Sequence, residues 1–203
     1  DLIIVEGAMG MFDGEPSSAD LAATFNIPMA IVMDVKGMAQ TAAAITMGLA
    51  NFRDDVQVAG LIANSCSTER HRQLIEDALP ENLPLLATLA RSELVALPER
   101  HLGLVQASEV RDELEQRFEA GADWLVEAGL ENILERFTNV EFKFAELPIA
   151  EPYLKGKVVA IAKDDAFSFI YQANLLILKE LGAEVRFFSP LHDTAIPDAD
   201  ALW

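Results

Sequence analysis

Short apolar runs rich in β-branched residues alternate along the chain with longer segments of helical periodicity. This alternation is typical of βαβ units, in which parallel strands form a sheet that helices cover. The runs expected to be strands are Leu2–Val5, Met29–Met33, Val58–Ala63, Leu85–Leu89, Val158–Ala162 and Glu184–Phe188. The segments expected to be helices include Ala39–Asn51, Glu69–Leu79, Asp112–Glu127, Glu131–Phe137 and Phe167–Leu181. The pattern therefore predicts an α/β protein built on parallel sheets.

Local signals mark the ends of two further features. Ser17 and Ser18 are able to cap a short helix that runs through Phe25, and Asp20 follows Ser17 by three positions, as in a capping box. Gly182 stands just past the end of the last helical segment, where glycine is favoured. We expect both helix ends to be fixed by these residues.

The periodicity stops in the segment Phe142–Lys157, which contains two prolines and a glycine and is typical of a linker. We therefore predict a domain boundary near residue 150, with domains at 1–150 and 151–203. The chain has no initiator Met, and its closing residues Asp200–Trp203 look like the start of another strand. These features favour a fragment of a longer protein.

Composition excludes several classes of function. The 203 residues include 33 acidic and 15 basic side chains, which gives a net charge of −18. This charge argues against nucleic-acid binding and against anionic membrane surfaces, because both rely on basic side chains. No apolar run reaches the roughly 18 residues of a spanning helix, and the start lacks the basic residues of a signal peptide. We expect a soluble, cytoplasmic protein.

The first candidate site is a glycine-rich loop that follows the run Leu2–Val5. Glu6 and Asp13 lie seven positions apart in the segment Val5–Gly14, and its glycines would let the loop approach a ligand closely. Carboxylates of this kind bind Mg²⁺ in phosphoryl-transfer sites. The alternative is an acidic turn between a strand and a helix, and the loop lacks the lysine of a P-loop.

Two further candidates follow strands or concentrate positive charge. Asn64 follows the strand Val58–Ala63, where its amide could pair with the edge of adenine, although a helix-capping asparagine is the alternative. Arg100 and His101 lie in Pro98–Leu104 and could offset the acidic field near an anionic ligand. Structural roles for both of these side chains remain the alternative.

Taken together, these motifs resemble one family. The matching stretches are Val5–Gly14, Ala39–Ala44, Pro98–Leu104, Ala166–Leu175 and Phe188–Leu191. In this order they resemble the cobyrinic acid a,c-diamide synthases, the glutamine-dependent amidotransferases of cobalamin biosynthesis. The resemblance implies a P-loop NTPase-like domain, similar to dethiobiotin synthetase, followed by the start of a class I glutamine amidotransferase domain.

The resemblance also implies a reaction. ATP, with Mg²⁺, would phosphorylate the c and then the a acetate carboxylate of a corrinoid, and ammonia released from glutamine would displace phosphate from the acyl phosphate to give an amide. By the same resemblance Glu6 would hold Mg²⁺ and phosphate, Asp13 would assist carboxylate activation, and Asn64 would meet adenine. Arg100 and His101 would belong to the substrate site. A homodimer is compatible with this assignment.

The family's P-loop and the catalytic Cys and His of its glutaminase are not in this sequence, so we expect the chain alone to be inactive. Several alternatives stay open. One alternative is the same chemistry on another substrate, either hydrogenobyrinic acid or nickel sirohydrochlorin. Another is cobyric acid synthase, which amidates other side chains, but the segment Pro98–Leu104 argues against it. From a different class, a non-biosynthetic ATPase switch or a partner-binding scaffold would share the first fold, and a degenerate fragment that binds only a partner is a third interpretation.

Overall fold

A computed structural model of the chain describes residues 2–96, 111–137, 139–142 and 151–203. The chain divides into two compact units. The described part of the first unit comprises 2–96 and 112–142 without 138, and that of the second includes 151–203. Each unit contains a three-stranded sheet in which every pair of neighbouring strands is parallel. The prediction of an α/β protein with parallel sheets is thereby confirmed.

The first unit follows the predicted alternation of strands and helices. Its elements are α1 (Ser18–Phe25), β1 (Met29–Asp34), α2 (Gln40–Ala50), β2 (Val58–Asn64), α3 (Glu69–Glu76), β3 (Leu85–Leu89), α4 (Arg111–Glu127, all but its first residue in this unit) and a 3₁₀ helix (Leu130–Arg136). The sheet order is β1-β2-β3. Most boundaries lie within one to three residues of the sequence-based prediction, which is the range over which helix ends fray.

The core of the first unit lies between the sheet and its helices. Leu61 on β2 and Ile75 on α3 are fully buried, and Ala42 and Ala43 present small side chains that let α2 pack closely on the sheet. The buried cluster consists of Ile31, Val35, Ala42, Leu61, Ala63, Cys66 and Ile75. Because these residues come from β1, α2, β2, α3 and the loops that follow the strands, the core holds the carboxyl ends of β1 and β2 in place.

The predicted capping box at α1 is confirmed. The Ser17 hydroxyl accepts a hydrogen bond from the Asp20 N–H at 3.1 Å, and the Asp20 carboxylate accepts one from the Ser17 N–H at 2.8 Å. Arg53 also donates to Asp20, at 2.6 Å. The backbone bond from Ser17, followed by the Arg53 bond, lowers the pKa of Asp20 from 3.8 to about 2.

The second unit is smaller. Its elements are β4 (Val158–Ala162), α5 (Gln172–Glu180), β5 (Glu184–Phe188) and β6 (Ala201–Leu202), with β4 in the centre of the sheet. Gly182 has a φ of +89° just after α5, which confirms its predicted place at the helix end. The predicted start of a strand at the end of the chain is likewise confirmed by β6.

Two predicted elements are wrong. Leu2–Val5 forms no strand, because no described strand pairs with its backbone and a β-strand needs such a partner for its hydrogen bonds. The side chains of this segment are 54–83% exposed. The last predicted helix does not start at Phe167 but at Gln172. The Asp164 carboxylate accepts the N–H groups of Ala166 and Phe167, so a turn takes up the backbone donors that would have opened that helix.

None of the helices in the described part of the chain is both long and apolar enough to cross a membrane. The predicted linker Phe142–Lys157 is described only at Phe142 and from residue 151 onward.

Candidate functional site

A concave pocket of about 510 Å³ lies at the carboxyl ends of the strands in the first unit. Its volume falls within the range of about 300–1,000 Å³ that is usual for small-molecule sites. The described residues that line it are Asp34, Lys36, Asn64, Ser65, Ser67, Ala90, Arg91, Ser92, Val95 and Trp124. The pocket therefore occupies the edge at which open parallel sheets bind ligands.

The strand register brings the polar groups of this pocket together. Asp34 is paired with Asn64 across β1 and β2, and Asn64 is paired with Leu89 across β2 and β3. All three residues end their strands, so the loops that follow open on one edge of the sheet. Asn64 lies at the end of its strand as predicted and lines the pocket, while its role toward a ligand stays a prediction.

Asn64 has an amide whose orientation is fixed on one side. Its Oδ1 accepts a hydrogen bond from the N–H of Ser65 at 3.0 Å, so the Nδ2 group is oriented away from that contact. Asn64 does not cap α3, because that role belongs to Thr68, whose hydroxyl accepts the N–H of His71. The alternative of a capping asparagine is therefore wrong.

Ser65 adopts an unusual backbone conformation next to this amide. Its φ is +62°, in the left-handed region that costs a non-glycine residue about 1–2 kcal/mol. Asp34 anchors the neighbouring loop after β1, because its Oδ1 accepts the Lys36 N–H at 2.9 Å. That bond, followed by a side-chain bond from Ser65, lowers the pKa of the Asp34 carboxyl. Asp34 is therefore an anion at neutral pH, and it holds the backbone of the β1 loop at Lys36.

Helix α4 supplies the far wall of the pocket from one face. Leu114 is buried, Arg117 donates through Nη1 to the Ala96 carbonyl, and a Cβ at Gly121 would lie 3.8 Å from Cγ1 of Val95. These positions recur at three and four residues, which places them on the same face of the helix. Trp124 continues that face and lines the pocket.

The charge near the pocket differs from that of the whole chain. Of its described charged lining residues, Lys36 and Arg91 are cations and Asp34 is an anion. Arg91 pairs with Glu93 at 3.1 Å, and both side chains are more than three-quarters exposed, so this pair contributes little to stability. In a chain of net charge −18, Lys36 and Arg91 offset the charges of Asp34 and Glu93, so this edge carries no net negative charge.

The glycine-rich loop lies at the start of the first unit, and both of its candidate carboxylates are exposed. The loop packs on α1, since the Ala19 N–H donates to the Met11 carbonyl at 2.9 Å. The Asp13 carboxylate rests against the backbone of Gly10, where a Cβ would overlap its Oδ2. Gly10 therefore makes room for Asp13, whereas Glu6 lies in the exposed segment before the loop.

The sequence pattern indicated only part of this site. Arg100 and His101 lie outside the described residues. Within the described ranges, no group of three or more His, Cys, Asp or Glu side chains is arranged to hold a metal ion. Trp124 was missed, because its segment carries the acidic pattern of a solvated helix face. The contacts of α4 with residues 95 and 96, which bring that indole into the pocket, leave no signal in the local sequence.

Comparison with known proteins finds relatives that are all named as a,c-diamide synthases. The chain is 43% identical over 206 residues to the hydrogenobyrinate a,c-diamide synthase of Pseudomonas aeruginosa, and this match covers 100% of the chain and 46% of the relative. It is 43% identical to the protein of the same name from Stutzerimonas stutzeri, with the same coverage. It is 39% identical to the cobyrinate a,c-diamide synthase of Herminiimonas arsenicoxydans, with 45% of that protein covered.

No family model matches the chain, and no solved structure matches it. The chain spans about half the length of the curated relatives that it matches. The resemblance indicated by the motifs is confirmed: over its whole length this chain is homologous to about half of a cobyrinate or hydrogenobyrinate a,c-diamide synthase.

Proposed function

We propose that the protein containing this chain catalyses the ATP- and glutamine-dependent amidation of the a and c acetate carboxylates of a cobyrinate-type corrinoid. The observation that carries this proposal is the match over the full chain to synthases of that name. The pocket at the carboxyl ends of β1, β2 and β3 supports it, since a nucleotide-binding sheet presents its ligand at this edge.

The two units would divide the reaction between them. In this proposal the first unit is the carboxyl-terminal part of a dethiobiotin synthetase-like, ATP-dependent domain, and the second is the beginning of a class I glutamine amidotransferase domain. The parallel sheet in each unit is compatible with that assignment. A corrinoid carboxylate would attack the γ-phosphorus of ATP with loss of ADP, and ammonia would then displace phosphate from the acyl phosphate.

Each candidate residue has a distinct task in this scheme. Asn64 would hydrogen-bond the adenine edge through Nδ2, because its Oδ1 already accepts the Ser65 N–H. Asp13 would assist activation of the corrinoid carboxylate from the glycine-rich loop. Glu6 would hold Mg²⁺ and the phosphates, and Arg100 and His101 would belong to the corrinoid site.

The described residues fit the nucleoside of ATP better than they fit the Mg²⁺ ion. The pocket supplies an amide, hydroxyls and an aromatic wall, which suits a nucleoside. For Mg²⁺, Glu6 would supply a single exposed carboxylate, and water and the phosphates of ATP would complete the coordination shell. The scheme therefore assigns no step to a metal held by these residues.

The test begins with the coding sequence, which should be read outward through both ends of this chain. The proposal expects a G-x-x-x-x-G-K-[ST] loop upstream and a glycine-rich stretch with a Cys and a later His downstream. The product of that reading frame should then convert cobyrinate or hydrogenobyrinate to its diamide, with ATP and glutamine consumed. An absent upstream loop, or no amide product from either substrate, would refute the proposal.

A single variant separates the two half-reactions. Asp13→Asn should abolish ATP-dependent amidation and leave glutamine hydrolysis detectable, because the substitution lies in the first unit. Wild-type amidation by this variant would remove Asp13 from the mechanism.

A further inference from the structure

Trp124 is the only aromatic side chain among the described residues that line the pocket. The indole is half-buried, so part of its surface is open. Aromatic rings bury a large apolar area and stack in offset geometry on other flat ring systems. A half-buried indole in the wall of a pocket of about 510 Å³ is therefore a surface for a planar ligand.

The position of this indole is fixed by the rest of α4. Arg117 and Gly121 precede Trp124 by seven and three residues and share its helix face. Arg117 bonds to the Ala96 carbonyl, and Gly121 lies beside Val95, where a Cβ would make an ordinary contact at 3.8 Å. These contacts bring the indole to the strand ends that carry Asn64, in the same pocket.

We infer that Trp124 is the residue on which the purine ring of ATP stacks, while the Nδ2 group of Asn64 donates to an acceptor on the edge of that ring. Two features favour a nucleoside over the corrinoid. The pocket is of a size that suits a nucleoside better than a corrin macrocycle with its acetate and propionate side chains. Lys36 and Arg91 border it and offset the charges of Asp34 and Glu93, so the phosphates of a nucleotide would meet no net negative charge there.

This inference rests on the proposed function, because it assigns the base subsite of the same ATP molecule. It goes further by naming a residue that distinguishes nucleobases. Stacking on an aromatic residue contributes about 1–3 kcal/mol per base when measured by alanine substitution, equivalent to a roughly 5- to 150-fold change in affinity. Purines offer a larger ring surface than pyrimidines, so loss of the indole should reduce ATP binding more than UTP binding.

The experiment measures equilibrium dissociation constants for ATP and UTP with the product of the reading frame that contains this chain. Trp124→Leu keeps an apolar side chain in the wall without an aromatic face, and Trp124→Phe keeps a smaller aromatic face. The expected result is an increase of about tenfold in the Kd for ATP with Trp124→Leu, a smaller increase for UTP, and values close to wild type with Trp124→Phe.

Phe118→Ala is the matched control, because Phe118 is an exposed aromatic on the same helix and does not line the pocket. It should leave both dissociation constants unchanged. Melting temperatures verify that the variants are folded. Unchanged ATP affinity in Trp124→Leu, or equal weakening of ATP and UTP, overturns the inference.

Amidation is measured separately on the same proteins. If ATP binding depends on Trp124 but no diamide forms, the inference stands and the proposed function fails. If the diamide forms while ATP binding is indifferent to Trp124→Leu, the proposed function stands and the base subsite lies elsewhere.

Discussion

Asp34 and Asn64 are register partners across β1 and β2, and each is the last residue of its strand. The parallel register therefore places a carboxylate beside an amide at the edge of the sheet. Asp34 holds the Lys36 N–H, and a bond from the Ser65 side chain helps to lower its pKa. Ser65 in turn donates its N–H to Asn64. We therefore expect Asp34 to act as a positioning residue for the Asn64 amide.

Asp34→Ala should weaken ATP binding through this chain of contacts. Removal of the carboxylate frees the Ser65 side chain, whose left-handed backbone then has one anchor fewer. Loss of one such hydrogen bond is worth about 1 kcal/mol, so KM for ATP should rise about fivefold while kcat for glutamine hydrolysis stays constant.

Asp34→Asn should give an intermediate KM, because an amide oxygen is still able to accept the Lys36 N–H. Asp54→Ala is the control, since Asp54 is an exposed carboxylate of the same unit outside the pocket. An unchanged KM for ATP in Asp34→Ala would show that Asn64 needs no support from β1.

Gly10→Ala should displace the Asp13 carboxylate while leaving residue 13 an aspartate. A Cβ at Gly10 would overlap Oδ2 of Asp13, and the exposed carboxylate is the group that is free to move. If Asp13 acts from its present position, kcat for amidation should fall at least about tenfold, which corresponds to about 1.4 kcal/mol of lost transition-state stabilisation.

Glutamine hydrolysis and the melting temperature should be unaffected by Gly10→Ala. Gly48→Ala serves as the control for adding a methyl group, because a Cβ at that position of α2 would have nothing within 4 Å. Full amidation activity in Gly10→Ala would contradict the importance of where Asp13 is held.

The sequence predicted the sheet well because its signals are local. The β-branched runs and the Ser17 capping box act within a few residues, and the structure places those elements close to their expected bounds. The prediction of a strand at Leu2–Val5 was wrong because strand pairing depends on residues distant in the sequence. An apolar run becomes a strand only when another strand accepts its backbone hydrogen bonds, and no described strand does so.

The pocket was predicted only in outline. The rule that ligands bind at the carboxyl ends of parallel strands led to Asn64, which lines the pocket. It could not lead to Trp124, which lies sixty residues further along the chain and reaches the pocket through tertiary contacts of α4. Nor could it give the Asp34–Ser65 connection, which depends on the register of β1 and β2 and on the φ of Ser65.

The capping carboxylate Asp20 should make the order of α1 depend on pH. Its pKa lies at about 2 in the folded chain against an ordinary 3.8, because the Ser17 N–H and Arg53 stabilise the anion. A lowered pKa means that the stabilisation is complete above about pH 4 and is lost as the pH falls toward 2. Hydrogen exchange of the α1 amides should therefore accelerate, relative to other helices, between these two values.

Asp20→Asn should remove most of this dependence and should show fast exchange of the α1 amides already at neutral pH. Glu81→Gln, at an exposed loop carboxylate, is the control and should leave the exchange of α1 unchanged. Equal protection of α1 at pH 6 and pH 3 in the unaltered protein would contradict the role given to Asp20.

Gly60→Ala should destabilise the first unit, because Gly60 sits in the centre of the sheet with a φ of +151°. A Cβ there would overlap the Pro84 carbonyl and lie 2.8 Å from Cγ of Leu86, and a rigid backbone oxygen has no easy way to yield. Strain and overpacking of this kind cost about 2 kcal/mol or more.

Gly48→Ala, in the interior of α2, should instead stabilise the protein by up to about 1 kcal/mol, since alanine favours the helix more than glycine does. Thermal unfolding of the two variants should shift in opposite directions, and a Gly60→Ala protein as stable as wild type would mean that β2 and β3 are not as close as the register requires.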